Sequence, residues 1–342
     1  MTTFVTGATG HVGANLVRAL LARGEGVRVL LEPGANPGAI AGLEVERVLG
    51  DLRDPAVLER GLAGCDRLYH LAALISLRNR DQQKLFDVNV QGTRNVLAAA
   101  RQAGVKRAVH CSSFGAIGWR PEGPSDEESL LNPFTCPLDY ELCKSLAELE
   151  ALRACVAGLE VVIVNPSATI GPLDFGPSSF GRTIVRLVTG RLLAYIPGRF
   201  DFVPVRDVVS GHLLAMERGR PGERYLLTGR STSLDEIIDW VTEITGARRP
   251  PLRLPLRLVQ PALAMKDWLE ATLMPSRAPV FTAATARILA LGKQGNNEKA
   301  RRELGLEPSP VQQALWEAML WYRSQGWFDV EIRDWQAIGA AA

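Results

Sequence analysis

The chain has 342 residues, 46% of them hydrophobic and 22% charged, the balance of a soluble globular protein and not of a disordered, collagen-like or coiled-coil one. Lys and Arg (39) nearly cancel Asp and Glu (37), and a formal charge of +2 leaves no electrostatic footprint for nucleic acid. Cys65, Cys111, Cys136, Cys143 and Cys155 form neither a CxxC pair nor a regular framework, which points to a reducing compartment and away from disulfides or a zinc site. The sequence does not open on a basic region followed by an apolar core and cleavage site, and no run of about 18 apolar residues is free of charge. The nearest approach, Leu256 to Met274, is interrupted by Lys266, Asp267 and Glu270. No span is expected there, contact with a membrane surface stays open, and the expected location is cytoplasmic.

Short apolar runs alternate with helical patterns through the first half. Strands are predicted at Thr3–Thr6, Val27–Leu31, Arg67–Leu71, Arg107–Cys111 and Val161–Val164. Helices are predicted around Leu16, Leu20 and Leu21, and at Ala56–Gly61, Lys84–Gln102 and Tyr140–Val156. Strands alternating with helices imply βαβ units, and so an α/β fold with a Rossmann-type, doubly wound parallel sheet. After Asn165 the pattern is broken by Gly171, Pro172, Gly176, Pro177, Gly181 and Pro197, and from Ser233 onward it is mostly helical. The expected division is a nucleotide-binding domain over 1–170, with strands near 200–228 returning to it. Residues 171–200 and 229–335 would form a smaller, mostly helical substrate lobe over the carboxyl ends of the strands.

Gly7-Ala8-Thr9-Gly10-His11-Val12-Gly13 follows the first strand and opens the first helix. A dinucleotide needs this arrangement: glycines allow a tight turn and close approach of the pyrophosphate, whose charge the helix N-terminus holds. The spacing is GxxGxxG. Glu32 closes the second strand nineteen positions after Gly13, where an acid accepts hydrogen bonds from the adenosine ribose and repels a 2′-phosphate. NAD(H) is therefore expected over NADP(H). Arg28, the nearest cation, points to the opposite face from Leu31.

Tyr140-Glu141-Leu142-Cys143-Lys144 places a phenol and an ammonium four residues apart on one helical face. A phenol of pKa about 10 is a poor catalyst at neutral pH, and a neighbouring cation lowers it. The pair follows a strand that ends in Cys111-Ser112-Ser113.

With these pieces the chain resembles the extended short-chain dehydrogenase/reductases, also called the NAD-dependent epimerase/dehydratase superfamily. The matching segments are Thr6–Gly13, Gly50–Leu52, Tyr69–Ala73, Val88–Thr93, Cys111–Gly118, Tyr140–Lys144 and Asn165–Pro172, and Phe202–Gly229 is most similar to the dihydroflavonol-reductase and 3β-hydroxysteroid-dehydrogenase branch. The resemblance implies that Asp51 and Leu52 hold the adenine edge and that Leu71, Ala72 and Ala73 line the cofactor channel. It implies that Asn89 supports the active-site water or backbone, that Ser113 (with Ser112 the alternative) holds the substrate oxygen, and that Tyr140 donates the proton. Lys144 would bind the nicotinamide ribose and depress the tyrosine, and Pro166 would pack on the nicotinamide.

His70 reads as a packed strand residue, His11 as a backbone contributor, and neither histidines nor cysteines have metal-ligand spacing. Asn165 stands where many sugar-nucleotide epimerases carry Arg. Phe114, Asn165, Phe175, Phe180 and Tyr195 suggest a pocket for an extended apolar substrate, with lobe core as the competing reading for the three last aromatics. The expected function is NAD(H)-dependent reduction of a ketone, or oxidation of a secondary alcohol, on a hydrophobic small molecule. A nucleotide-sugar epimerase or dehydratase is the alternative, and a non-catalytic NAD sensor the remote one. The expected partner is the small-molecule substrate, without nucleic acid, metal or membrane span, and a homodimer stays open.

Overall fold

The computed structural model describes residues 1–76, 81–134, 136, 138–273, 286 and 289–337. The first half runs β1 (Thr2–Thr6), α1 (His11–Ala22), β2 (Gly26–Leu31), β3 (Glu46–Leu49), α2 (Pro55–Leu62), β4 (Arg67–His70), α3 (Gln82–Phe86), α4 (Gly92–Gln102), β5 (Arg107–Cys111), α5 (Asp139–Val156) and β6 (Glu160–Pro166). Then follow β7 (Ala168–Ile170), α6 (Ser179–Val188), β8 (Ala194–Tyr195), β9 (Arg199–Pro204), α7 (Val205–Arg218), β10 (Arg224–Leu227) and β11 (Arg230–Ser233). The last are α8 (Leu234–Thr245), β12 (Leu252–Arg253), α9 (Leu256–Leu273) and α10 (Val311–Ser324).

Seven strands form one sheet in the order β10-β6-β5-β4-β1-β2-β3, and every pairing in it is parallel. This is the expected doubly wound Rossmann-type architecture. Alternation along β6 explains why both faces are covered. Val162 and Val164 pack with Leu16, Val17 and Leu20 of α1 and Val208 and Met216 of α7, whereas Val161 and Ile163 pack with Leu58, Leu97 and Ala151 of α2, α4 and α5. A second core joins Ile184 and Leu187 of α6, Phe202 of β9, Ile237 and Val241 of α8, and Leu315 and Met319 of α10. β9 lies in a separate three-stranded sheet between β11 and β7.

The helix expected at Lys84–Gln102 is interrupted by a π-turn at Asp87–Gln91, which separates α3 from α4. Its cause is tertiary: Asn89 turns its amide onto Leu74, accepting from the main-chain N–H at 2.7 Å and donating to the carbonyl at 2.9 Å. β3 carries only Val48 and Leu49 as apolar residues and forms the sheet edge, so periodicity did not predict it. Of the stretch Leu256–Met274, all but Met274 forms α9, and Met274 lies outside the described residues. No helix among the described residues is long and apolar enough to cross a membrane.

Candidate active site

The crevice opens at the carboxyl ends of β1 and β4, where the strand order reverses. Gly7 has φ +73°, and a Cβ there would lie 2.6 Å from the nitrogen of Ala72; one on Gly13 would lie 2.1 Å from the Gly7 carbonyl oxygen. Only glycine fits either place. The loop thereby draws Leu71 and Ala72, at the end of β4, directly over the turn that carries Ala8 and Thr9. Gly10 is the N-cap of α1 and brings no side chain to its first turn. The amides of His11, Val12 and Gly13 thus begin a helix without a side-chain acceptor, as an anion site requires. The His11 ring does more than its backbone role implied: Nε2 lies 3.1 Å from the Pro172 carbonyl, which also accepts from Asn15 at 3.0 Å. The loop after β7 is thereby pinned to the glycine turn.

Glu32 is exposed at the end of β2. Arg28 points away from it, donating to the carbonyls of Gly61 and Ala63 at 2.8 and 2.7 Å and pairing with Glu46 at 2.7 Å. The charge of Glu32 acts on Arg53. Arg53 is engaged by Asp51, through contacts of 2.9 and 2.5 Å that hold the Asp51 carboxyl below its usual range. Leu52 packs so closely on Gly92, at the start of α4, that a Cβ there would lie 1.7 Å from its Cδ1.

Beneath the crevice a buried chain of hydrogen bonds has one consistent direction. Ala72 donates to the Thr6 hydroxyl (3.2 Å), which meets His70 Nδ1 at 2.7 Å; His70 Nε2 meets the Thr93 hydroxyl at 3.0 Å, and Thr93 donates to the Asn89 carbonyl at 2.6 Å. With the Thr93 proton committed to Asn89, His70 must carry its proton on Nε2 and accept on Nδ1. Burial lowers its pKa to about 3, so the ring is neutral and structural. Ala73 stands exposed just beyond, at the crevice mouth.

The two serines after β5 part company. Ser112 is buried and donates to Glu148 at 2.5 Å. Ser113 accepts from the N–H of Gly115 at 3.0 Å, and its hydroxyl is hydrogen-bonded to the Tyr140 phenol, which pulls that phenol downward. Burial nevertheless raises Tyr140 above the ordinary value for a phenol. The expected depression by Lys144 is not what forms. The buried Lys144 ammonium donates to the Cys111 carbonyl at 2.7 Å, and burial lowers its own pKa against the pull of Cys111 and Glu148. A shared helical face brought the two residues to one side, but the ammonium is drawn down to the strand end. Pro166 ends β6 beside them, paired with Leu227.

Asn165, expected to line the pocket, is instead fully buried and donates to the Ser113 carbonyl (3.0 Å) and to Glu148 (2.6 Å). Phe114 is buried directly after Ser113. Phe175 packs edge-on against Trp321 at 4.9 Å and under the Arg18 guanidinium, Phe180 lies 4.7 Å from Phe202 in the second core, and Tyr195 donates to Asp235 at 2.6 Å. All three are half-buried, and each has a packing or hydrogen-bond partner of this kind. Sequence reasoning did not single out Glu148, which receives Ser112, Asn165 and Arg224 (3.1 Å), or Lys293, which donates to the Phe114 carbonyl at 2.7 Å. No local spacing announces either. Among the described residues no group of three or more His, Cys, Asp or Glu could hold a metal ion.

Residues 3–227 match the pattern of the family described as "NAD dependent epimerase/dehydratase family". Sterol demethylase protein B of Methylococcus capsulatus is 50% identical over 326 residues, 95% of this chain and 99% of that protein. A 4-hydroxy-2-methyl-3-oxo-4-farnesyl-3,4-dihydroquinoline-1-oxide ketoreductase of Stigmatella aurantiaca is 35% identical over 89% of this chain and 91% of its own. The crystal structure of gox2253 superposes with a TM-score of 0.84 at 36% identity, over 96% of this chain and 99% of that one.

Proposed function

This chain belongs to the NAD dependent epimerase/dehydratase family, and we propose that it transfers hydride between NAD(H) and a ring ketone or secondary alcohol of a sterol-like substrate. It is an oxidoreductase of hydroxyl and keto groups. The observation that carries the finer reading is the divergence of Ser112 and Ser113: one hydroxyl is sequestered by Glu148, the other is hydrogen-bonded to the Tyr140 phenol.

The residues fit the cofactor. Gly7 and Gly13 form a cradle that any Cβ would fill, and the uncapped first turn of α1 offers amides to a pyrophosphate. Glu32 would accept from the ribose hydroxyls, Asp51 and Leu52 would border the adenine, and Leu71, Ala72, Ala73 and Pro166 would flank the nicotinamide half. When bound, the nicotinamide supplies or takes the hydride.

In reduction, Ser113 donates to the carbonyl oxygen and Tyr140 delivers its proton to the developing alkoxide. A phenol raised by burial is protonated at neutral pH, the state this step needs. In oxidation the phenol must first release its own proton to solvent, and the phenolate so formed takes the proton of the alcohol. Lys144 holds the end of β5 through Cys111 and is the cation available to the nicotinamide ribose. Glu32, free of Arg28 and near an Arg53 already engaged by Asp51, supports NAD(H) over NADP(H).

The names of the two relatives, one for sterols and one for a farnesylated ring ketone, support a large apolar substrate. Full burial of Asn165, where epimerases carry Arg, weighs against a nucleotide-sugar. The test is incubation with NAD and a 3β-hydroxysterol, with NADH and a 3-ketosteroid, and with NAD and UDP-glucose. Net change in nicotinamide absorbance with either steroid is expected. Epimerised UDP-glucose without net change would overturn the reading.

A further inference from the structure

Between α9 and α10 the chain crosses back to the end of β5. Residues 292–297 lie between the turn after β5 and the end of β10. Ser125 donates to the Gln294 carbonyl at 2.8 Å and accepts from Asn296 at 2.8 Å, while Gly295 donates to Asp201 at 3.1 Å. Gly295 passes so near β10 that a Cβ would lie 2.4 Å from Thr228 Cγ2, and Asn297 donates to the Thr228 carbonyl at 2.7 Å. The segment is therefore held on both flanks.

Lys293 is its one cation directed at the catalytic turn. The ammonium donates to the carbonyls of Phe114 (2.7 Å) and Ile117 and sits 4.3 Å from the centre of the Phe114 ring. These two carbonyls flank the short 3₁₀ turn Phe114–Ala116. Desolvating an ammonium is costly, and the negative charge of Glu141, two charge-assisted hydrogen bonds and a ring face offset that cost here. Inside the turn, the N–H of Gly115 is the group that donates to Ser113 Oγ. Glu141 of α5 touches the same turn, its Cγ 2.9 Å from where a Cβ on Gly115 would stand, and its charge interacts with that of Lys293.

We propose that Lys293 is a positioning residue for Ser113: by clamping the carbonyls of Phe114 and Ile117 it sets the Gly115 N–H that orients the serine hydroxyl. The clamp ties a C-terminal segment to the catalytic turn across 179 positions of sequence. The inference rests on Ser113 acting on the substrate oxygen, and its test separates the two.

Lys293→Met removes the donors at similar length, and Lys293→Arg restores donors. Amide hydrogen exchange of Gly115 to Gly118 in the full chain reads the turn without any substrate. Exchange should quicken about tenfold in Lys293→Met, with Lys293→Arg near wild type, because opening of the turn sets the rate. With NADH and a 3-ketosteroid, kcat should fall about 10- to 100-fold for Met, the scale of a small misplacement, while the NADH Kd stays close to wild type and Tm falls, since two carbonyls lose their donor. Where Met folds poorly, Lys293→Gln, too short to span both carbonyls, gives the same comparison. Unchanged exchange in the turn, or a kcat loss that Arg does not relieve, overturns the clamp. A wild-type chain inactive on steroids, or an active Tyr140→Phe, overturns the proposed function and leaves the exchange result to decide on Lys293.

Discussion

Asn165, fully buried at the end of β6, donates its side-chain amide to the main-chain carbonyl of Ser113 across 3.0 Å. A second bond, to Glu148 at 2.6 Å, fixes the orientation of that amide. Ser113 is thus held by its backbone from β6 and by its hydroxyl from Gly115, and its neighbour Ser112 is consumed by the same Glu148.

The first expectation follows from this division. Ser113→Ala should lower kcat about 10²- to 10³-fold, the usual effect of deleting one donor to a developing oxyanion. Ser112→Ala should leave kcat nearly intact and cost about 1–3 kcal/mol of stability, because the buried Glu148 carboxyl loses a donor. Steady-state kinetics and urea unfolding of both variants decide it. The reverse order would mean that Ser112 faces the substrate.

Tyr140→Phe removes only a hydroxyl from a residue packed against Leu85, Val90 and Cys143. Folding and NADH binding should survive while turnover drops about 10²- to 10⁴-fold. Retention of more than about a tenth of the wild-type rate would remove Tyr140 from the proton-transfer step, since that step is worth far more.

Cofactor choice rests on Glu32. Its exposed carboxylate would stand against a 2′-phosphate, and NADH should bind at least about tenfold tighter than NADPH, a difference of about 1.4 kcal/mol. Glu32→Arg should narrow or invert the ratio, because a guanidinium pairs with phosphate through two bonds. Dissociation constants for both nucleotides on both proteins measure it. Wild-type preference for NADPH would show that Arg53 leaves Asp51 to take the phosphate.

Three buried histidines predict acid sensitivity. Burial lowers His70 to about 3 and His212 to about 4, and lowers His110, whose ring nitrogens have no partner among the described residues, well below the ordinary value. Below about pH 6.5 the unfolded chain binds these protons and the folded chain does not. Stability therefore falls as pH drops from about 6.5, by on the order of 1.4 kcal/mol per pH unit per histidine, until each folded pKa is reached. Carboxyls raised by burial, such as Glu127 and Glu141, act in the opposite sense. Urea midpoints at about pH 7.5 and about pH 5 should differ less in His110→Phe than in the wild type. Equal differences in both proteins would mean that His110 is protonated in the fold.

What the chain determined by itself lies in contiguous residues. Alternating Val and Ile set which side of β6 meets α1 and which meets α5, Gly7 and Gly13 specified a turn that admits no Cβ at either place, and the Tyr140–Lys144 spacing put two side chains on one helical face. Local backbone geometry is enough for each. It was not enough for the destination of a long side chain. The Lys144 ammonium donates to the Cys111 carbonyl, Asn165 turns inward to Ser113, and Phe180 joins Phe202, because a buried polar or apolar group takes whichever partner the packing supplies. Those partners stand far off in sequence, 52 positions between Asn165 and Ser113 and 179 between Lys293 and Phe114. Only closing the sheet and laying the C-terminal segment across it brings them within 3 Å, so the setting of Ser113 is a property of the tertiary structure.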